Sequence, residues 1–245
     1  MDFYVALGLP SADLDPETAI LPALASSRAP VVATVIAVPD PVVICEKLLR
    51  LDRYCATGVQ LRLEESTSAS LRLHAAKMPD DTRLAHRFAI LKGLLLRAGF
   101  TGVTVLNTDP SSAILRWETA PALPPLETGG SVQLTDHVHR LIASDPARAW
   151  RIEDIAQHLG LSSRSLQRYL LAEGGTFSVA LRLARTEVAT NLLRKNALSL
   201  AEIGFCCGYA DQAHFQREFR KVAGLTPRQY RNGGGNVQKT VRMVP

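Results

Sequence analysis

The stretch SLAEIGFCCGYADQAHFQREFRKVAGLTPRQYR, residues 199–231, decides how this chain reads. A related pattern, RIEDIAQHLGLSSRSLQRYLLAEGGTF, stands about 48 residues earlier, at 151–177. Each copy has a short amphipathic segment, a glycine, a few small or polar residues and a second amphipathic segment. Each second segment carries Gln-Arg after an apolar residue: Leu166-Gln167-Arg168 and Phe215-Gln216-Arg217. The arrangement is an internal duplication of a helix-turn-helix unit, and it points to DNA.

In the first copy, Ile152, Ile155, Ala156 and Leu159 predict a short helix with a narrow apolar face. Gly160 suits a turn that needs positive φ. Ser162 is a good N-cap, since its hydroxyl can accept from otherwise free backbone N–H groups. On the second helix Leu166, Tyr169 and Leu170 are expected to pack inward. Arg164, Gln167 and Arg168 then share the other side at spacings of three and four. In the second copy Ser199 and Glu202 read as a capping box. Ile203, Phe205 and Cys206 or Cys207 supply the inner face, and Gly208 makes the turn. Phe215, Phe219 and Val222 form the next apolar face, which leaves Gln212, Gln216, Arg217 and Arg220 outward. The residue types suit base reading: a helix fits the major groove, Arg can pair twice with guanine and Gln twice with adenine. His214 reads as a phosphate contact or a surface histidine, and Glu218 as the partner of a neighbouring cation.

Between the copies, Ser178 to Arg194 predicts one helix with Val179, Leu183, Val188 and Leu192 as its apolar positions. Arg182 and Arg185 on it are either phosphate contacts or solvated. Charge is distributed to match. Residues 1–130 hold 12 Lys and Arg against 14 Asp and Glu, whereas residues 131–245 hold 16 against 9, a net +7 that suits a polyanionic partner.

The double unit resembles the AraC/XylS-type transcription regulators over about residues 132–231. The resemblance rests on Ile155-Ala156 with LGLS, SLQRYL, the long helix, EIGFCCGYADQAHFQREF and the ending GLTPRQYR. It implies an all-α, seven-helix double helix-turn-helix domain that binds asymmetric promoter sites in double-stranded DNA and activates by contacting RNA polymerase. It carries the base-reading role to Arg164, Gln167 and Arg168, and to Gln212, Gln216 and Arg217. Two positions depart from the family pattern. Gly204 stands where Ala is common, which loosens that helix by up to ~1 kcal/mol, and Arg151 replaces the usual polar cap. Many relatives carry a cupin-like barrel sensor, and residues 1–118 do not read as one.

Those first residues predict an α+β domain that dimerises, senses an unknown small-molecule effector, or both. Residues 1–30 hold no lasting period. Residues 31–38 (VVATVIAV) read as a buried strand, and Val42 to Tyr54 as a helix. Val59 to Leu63 and Ser70 to His74 alternate as strands do. Asp80 to Gly99 predicts a helix with Leu84, Phe88, Leu91 and Leu95 on one face, widened by Ile90 and Leu94; it is either a core helix or one that also seats a dimer partner. Val103 to Asn107 and Ala113 to Trp117 predict two strands around a Thr-Asp-Pro-Ser turn. Residues 119–131 are the expected linker, Val132 to Ala143 a helix, and 232–245 a mobile tail.

The chain as a whole is expected to be mainly α, non-enzymatic, cytoplasmic and free of cofactor or metal. No apolar run reaches the ~18 residues of a membrane span. Cys45, Cys55, Cys206 and Cys207 have no zinc-like spacing, which speaks against the zinc module of the DNA-repair methyltransferases that share this domain. His74 and His86 have no nucleophile beside them in the sequence. The rival reading is a co-regulator that works mainly through protein contacts and binds DNA weakly.

Overall fold

A computed structural model describes residues 1–9, 15–77, 81–109, 111–121, 133–195 and 197–233. The expected tail from 234, most of the linker and Asp80 lie outside them. The chain divides into two compact units, Met1–Leu126 and Glu127–Pro245.

The first unit is α+β. In chain order it has α1 (Phe3–Ala6), a π-helical turn (Pro16–Ile20), α2 (Leu21–Ser26), α3 (Pro30–Val35) and α4 (Pro41–Tyr54). There follow β1 (Gln60–Ser66), β2 (Ser70–Lys77), α5 (Asp81–Arg97), β3 (Thr104–Asp109) and β4 (Ser112–Arg116). The strands form one antiparallel sheet in the order β1-β2-β4-β3. Its inner face, with Leu71, Leu73, Ala113 and Leu115, is buried beneath α4 and α5.

Two expectations change here. VVATVIAV is not a strand: Val31, Val32 and Val35 belong to α3 and are fully buried. A short run that is apolar on every side has no period to choose between strand and helix. Pro30 at the first turn of α3 decides it, since its fixed φ suits a helix start. Helix α5 is a core helix. Leu84, Phe88, Ile90, Leu91, Leu94 and Leu95 are all buried, so the expected stripe packs inside the unit, the first of its two readings. The interior also holds an ion pair: Arg87 Nε donates to Asp52 Oδ1 at 2.8 Å, both residues 2% exposed. The Arg87 guanidinium lies 3.7 Å from the Phe3 ring centroid, and Thr57 Oγ1 donates to the same Asp52 oxygen. Burial raises the Asp52 pKa above the ordinary carboxylate value, with Arg87 working against it.

The second unit contains seven α-helices among its described residues: α6 (Leu134–Ser144), α7 (Ile152–His158), α8 (Ser163–Ala172), α9 (Phe177–Lys195), α10 (Leu200–Cys206), α11 (Gln212–Ala223) and α12 (Pro227–Asn232). Helix α9 contacts α6 at one end and α10, α11 and α12 at the other. Its buried positions are Ala180, Ala184, Thr186, Ala189 and Leu193. The expected stripe of Val179, Leu183, Val188 and Leu192 is therefore displaced by about a residue, and Val179 is exposed. Small residues are buried because helices approach α9 closely on more than one side, and each alanine gives the neighbour room.

Candidate nucleic-acid interface

In the first helix pair, α7 is capped at Arg151. The guanidinium has only donors, so the cap works in one direction: the Asp154 carboxylate accepts from the Arg151 N–H at 2.8 Å. Ile155 and Ala156 are buried under α8. Gly160 turns the chain at φ +65°. The Ser162 hydroxyl then accepts from the Ser165 N–H at 3.1 Å, and α8 begins. Leu166 and Leu170 are fully buried. Tyr169 is not: it is 43% exposed, and the Arg168 guanidinium lies 5.4 Å from its ring centroid.

The second pair repeats this construction more tightly. Ser199 Oγ accepts from the Glu202 N–H at 3.2 Å, while the Glu202 carboxylate accepts from the Ser199 N–H at 2.8 Å. Ile203, Gly204, Phe205 and Cys206 are buried along α10, and Cys207 at its end is buried too. Gly208 turns at φ +82°. Asp211 caps α11 by accepting from the His214 N–H at 2.6 Å. Asp211 and Ser162 occupy the same place in the two copies, so the repeat itself held this signal. Phe215 and Phe219 are fully buried in an aromatic series that runs from Tyr209 to Tyr230. Burial pushes the Tyr209 phenol up to about 12.

The six expected readers all stand on the solvent side: Arg164, Gln167 and Arg168 on α8, and Gln212, Gln216 and Arg217 on α11. Arg220 is also exposed. Glu218 has its cations: Lys221 Nζ at 2.6 Å and Arg182 Nε at 3.6 Å, which together hold its carboxyl below the ordinary value. His214 is half-buried, with Nδ1 3.4 Å from the Ala210 N–H and its ring edge-on to Tyr209.

Arg185 corrects the sequence reading, which left it as a phosphate contact or a solvated side chain. It turns inward, donating from Nε to the Pro146 carbonyl at 3.0 Å and from Nη2 to the Arg148 carbonyl at 3.1 Å. Burial lowers its pKa. It therefore ties α9 to the loop between α6 and α7. Gly208 lies against the same place, because a Cβ there would come within 2.2 Å of the Pro146 oxygen. No pattern in the sequence marks Arg185 as turned inward.

His74, in the other unit, does meet a hydroxyl: its Nδ1 is 2.9 Å from Ser112 Oγ. Its other cross-strand neighbour is Arg62, a cation where a catalytic triad holds an acid.

The family model that matches is a helix-turn-helix domain, over residues 155–233. Over these residues the chain is similar to AraC/XylS-type transcription regulators. The chain is 35% identical over 104 residues to the HTH-type transcriptional regulator YdeO of Escherichia coli, covering 42% of this chain and 41% of that one. It is 36% identical over 98 residues to the ornithine utilization regulator of Pseudomonas aeruginosa, covering 40% and 29%. It is 39% identical over 80 residues to the transcriptional activator NphR of a Rhodococcus species, covering 33% and 24%. The matches thus span less than half of these relatives' lengths. A solved DNA-binding transcriptional dual regulator from Escherichia coli K-12 aligns at 25% identity and a TM-score of 0.42, covering 44% of this chain and 98% of that one. In this helix-turn-helix domain α8 and α11 are the second helices of the two pairs.

Proposed function

We propose that the chain is a sequence-specific DNA-binding transcription regulator, an activator, which reads two successive major grooves with α8 and α11. The observation that carries this reading is one solvent-facing Gln-Arg pair repeated at the same place on both helices. The basic half docks on phosphates, and the base edges are read by Arg164, Gln167 and Arg168 and by Gln212, Gln216 and Arg217. Helix α9 is about 28 Å long at ~1.5 Å per residue. A joint of that order suits two readers whose grooves recur about 34 Å apart on one face of DNA. The first unit supplies dimerisation, effector sensing or both, and RNA polymerase is the partner in activation. The curated relatives include transcriptional activators.

Arg168→Ala and Arg217→Ala are each expected to cost on the order of 1–3 kcal/mol of binding and to relax specificity at one base position. Footprinting on DNA from upstream of the protein's own gene checks this; unchanged footprints in both variants would remove these residues from the readers. Equal binding of the wild type to that DNA and to random duplex, across salt, would favour the co-regulator reading.

A further inference from the structure

We infer that the open face of the first unit's sheet is a second, sequence-independent contact for duplex DNA, made by Arg62, Arg72 and Arg116. This rests on the proposed function above, which brings the duplex to the chain.

Strand register places the three arginines together. Arg62 pairs across β1–β2 with His74, Arg72 pairs across β2–β4 with Ile114, and Arg116 pairs across β4–β2 with Ser70. Paired residues point to the same side of a sheet, so all three share the face opposite the buried Leu71, Leu73, Ala113 and Leu115. From β1 through β2 to β4 each arginine lies diagonally one strand on. Diagonal neighbours are about 7–8 Å apart, which spreads the three over roughly 15 Å. Arg62 and Arg116 are exposed, and the Arg72 side chain is 42% exposed. Arg72 pairs with Glu65 at 3.5 Å, with that side chain 62% exposed; a pair so solvated holds its members weakly. Leu106 and Ile114 lie in register beside Arg72 and supply the apolar part of the face.

Charge separates this face from its surroundings. Residues 1–130 carry a net negative charge. Without the three arginines and Glu65 they hold 9 Lys and Arg against 13 Asp and Glu. A cationic strip on an otherwise acidic unit attracts a polyanion to one place and repels it elsewhere. The three arginines are spread along the face, so a small anion meets one or two guanidinium groups whereas a phosphate backbone meets all three. An acidic protein segment has matching charge, but duplex DNA is delivered by the same chain. A linked module works at an effective concentration in the millimolar range, which makes weak phosphate contacts count.

The test uses the full chain and its R62Q/R72Q/R116Q variant. R28Q/R53Q, which removes exposed charges elsewhere on the first unit, is the control. Binding is measured against salt on mixed-sequence duplexes of about 20 and about 60 base pairs, the shorter being two helical turns. Each phosphate contact contributes about 0.9 to the log–log salt slope. The triple variant is expected to lose on the order of 2–3 from that slope on the long duplex, which leaves room for both units, and the control to match wild type on both. A triple variant equal to wild type on the long duplex overturns the inference, as does an equal loss in the R28Q/R53Q control. Poly-glutamate binding that disappears in the triple variant while the DNA slopes persist assigns the face to an acidic protein and also overturns it. A wild type that binds neither duplex sinks the regulator reading itself.

Discussion

Gly160 and Gly208 hold equivalent places in the two copies, yet their surroundings differ. Both adopt positive φ, which the sequence pattern implies at a tight turn. A Cβ on Gly160 meets nothing within 4 Å, whereas one on Gly208 comes within 2.2 Å of the Pro146 carbonyl oxygen and 2.7 Å of the Arg185 guanidinium. Gly160→Ala is therefore expected to cost about 1–2 kcal/mol, from the left-handed backbone alone. Gly208→Ala adds a backbone clash and a displaced Arg185, so its cost should be on the order of 3 kcal/mol or more. Urea denaturation of the two variants decides this; equal midpoints would show that the Arg185 contact does not hold the turn. The outward set was readable because helical spacing alone sends Arg164, Gln167, Arg168, Gln216 and Arg217 away from Leu166, Leu170, Phe215 and Phe219. The inward set was less so. Tyr169 has helical spacing for the core and is exposed, and Arg185 is a cation yet turns inward and is half-buried.

At the scale of elements, α9 shows how neighbours override pattern. Its apolar residues, read alone, pick a stripe through Val179 and Leu183. The buried line instead runs through Ala180, Ala184 and Ala189, where adjacent helices come closest. Ala184→Leu should therefore destabilise the second unit by about 1–3 kcal/mol through overpacking. Val179→Ala, at an exposed position, should stay within about 0.5 kcal/mol. Thermal unfolding monitored by circular dichroism separates the two, and a costly Val179→Ala would restore the sequence-based stripe. Glu173, at the end of α8, joins elements distant in sequence. Its carboxylate accepts from the Leu134 N–H at 3.1 Å and the Thr135 N–H at 2.8 Å, capping α6. The Thr135 contacts lead in holding its pKa below the ordinary 4.5. A depressed carboxylate stabilises the fold above its unfolded value, and that contribution is lost as pH falls through the folded one. Glu173→Gln should lower stability at neutral pH and flatten its decline below about pH 4.5. Parallel acid titrations that keep the wild-type slope in the variant would assign the decline to other carboxylates.

For the whole molecule, charge and periodicity carried the most information. The net +7 of residues 131–245 and the repeated Gln-Arg helices can be read without coordinates because both are local properties: charge needs only composition, and a helix repeats every 3.6 residues. The same holds for the capping box of Ser199 and Glu202, the hairpin of β3 and β4, and α4 and α5. Tertiary structure decided what depends on residues far apart. It buried Val31, Val32 and Val35 on one side of a helix where the run VVATVIAV, apolar at almost every position, offers no period to choose between helix and strand. It buried Arg87 against Asp52 across 35 residues of chain, and turned Arg185 inward to the carbonyls of Pro146 and Arg148. It also aligned Arg62, Arg72 and Arg116 through strand register, which no single strand encodes. Local spacing sets which way a side chain points along its own element; what it then meets is set by the elements packed around it.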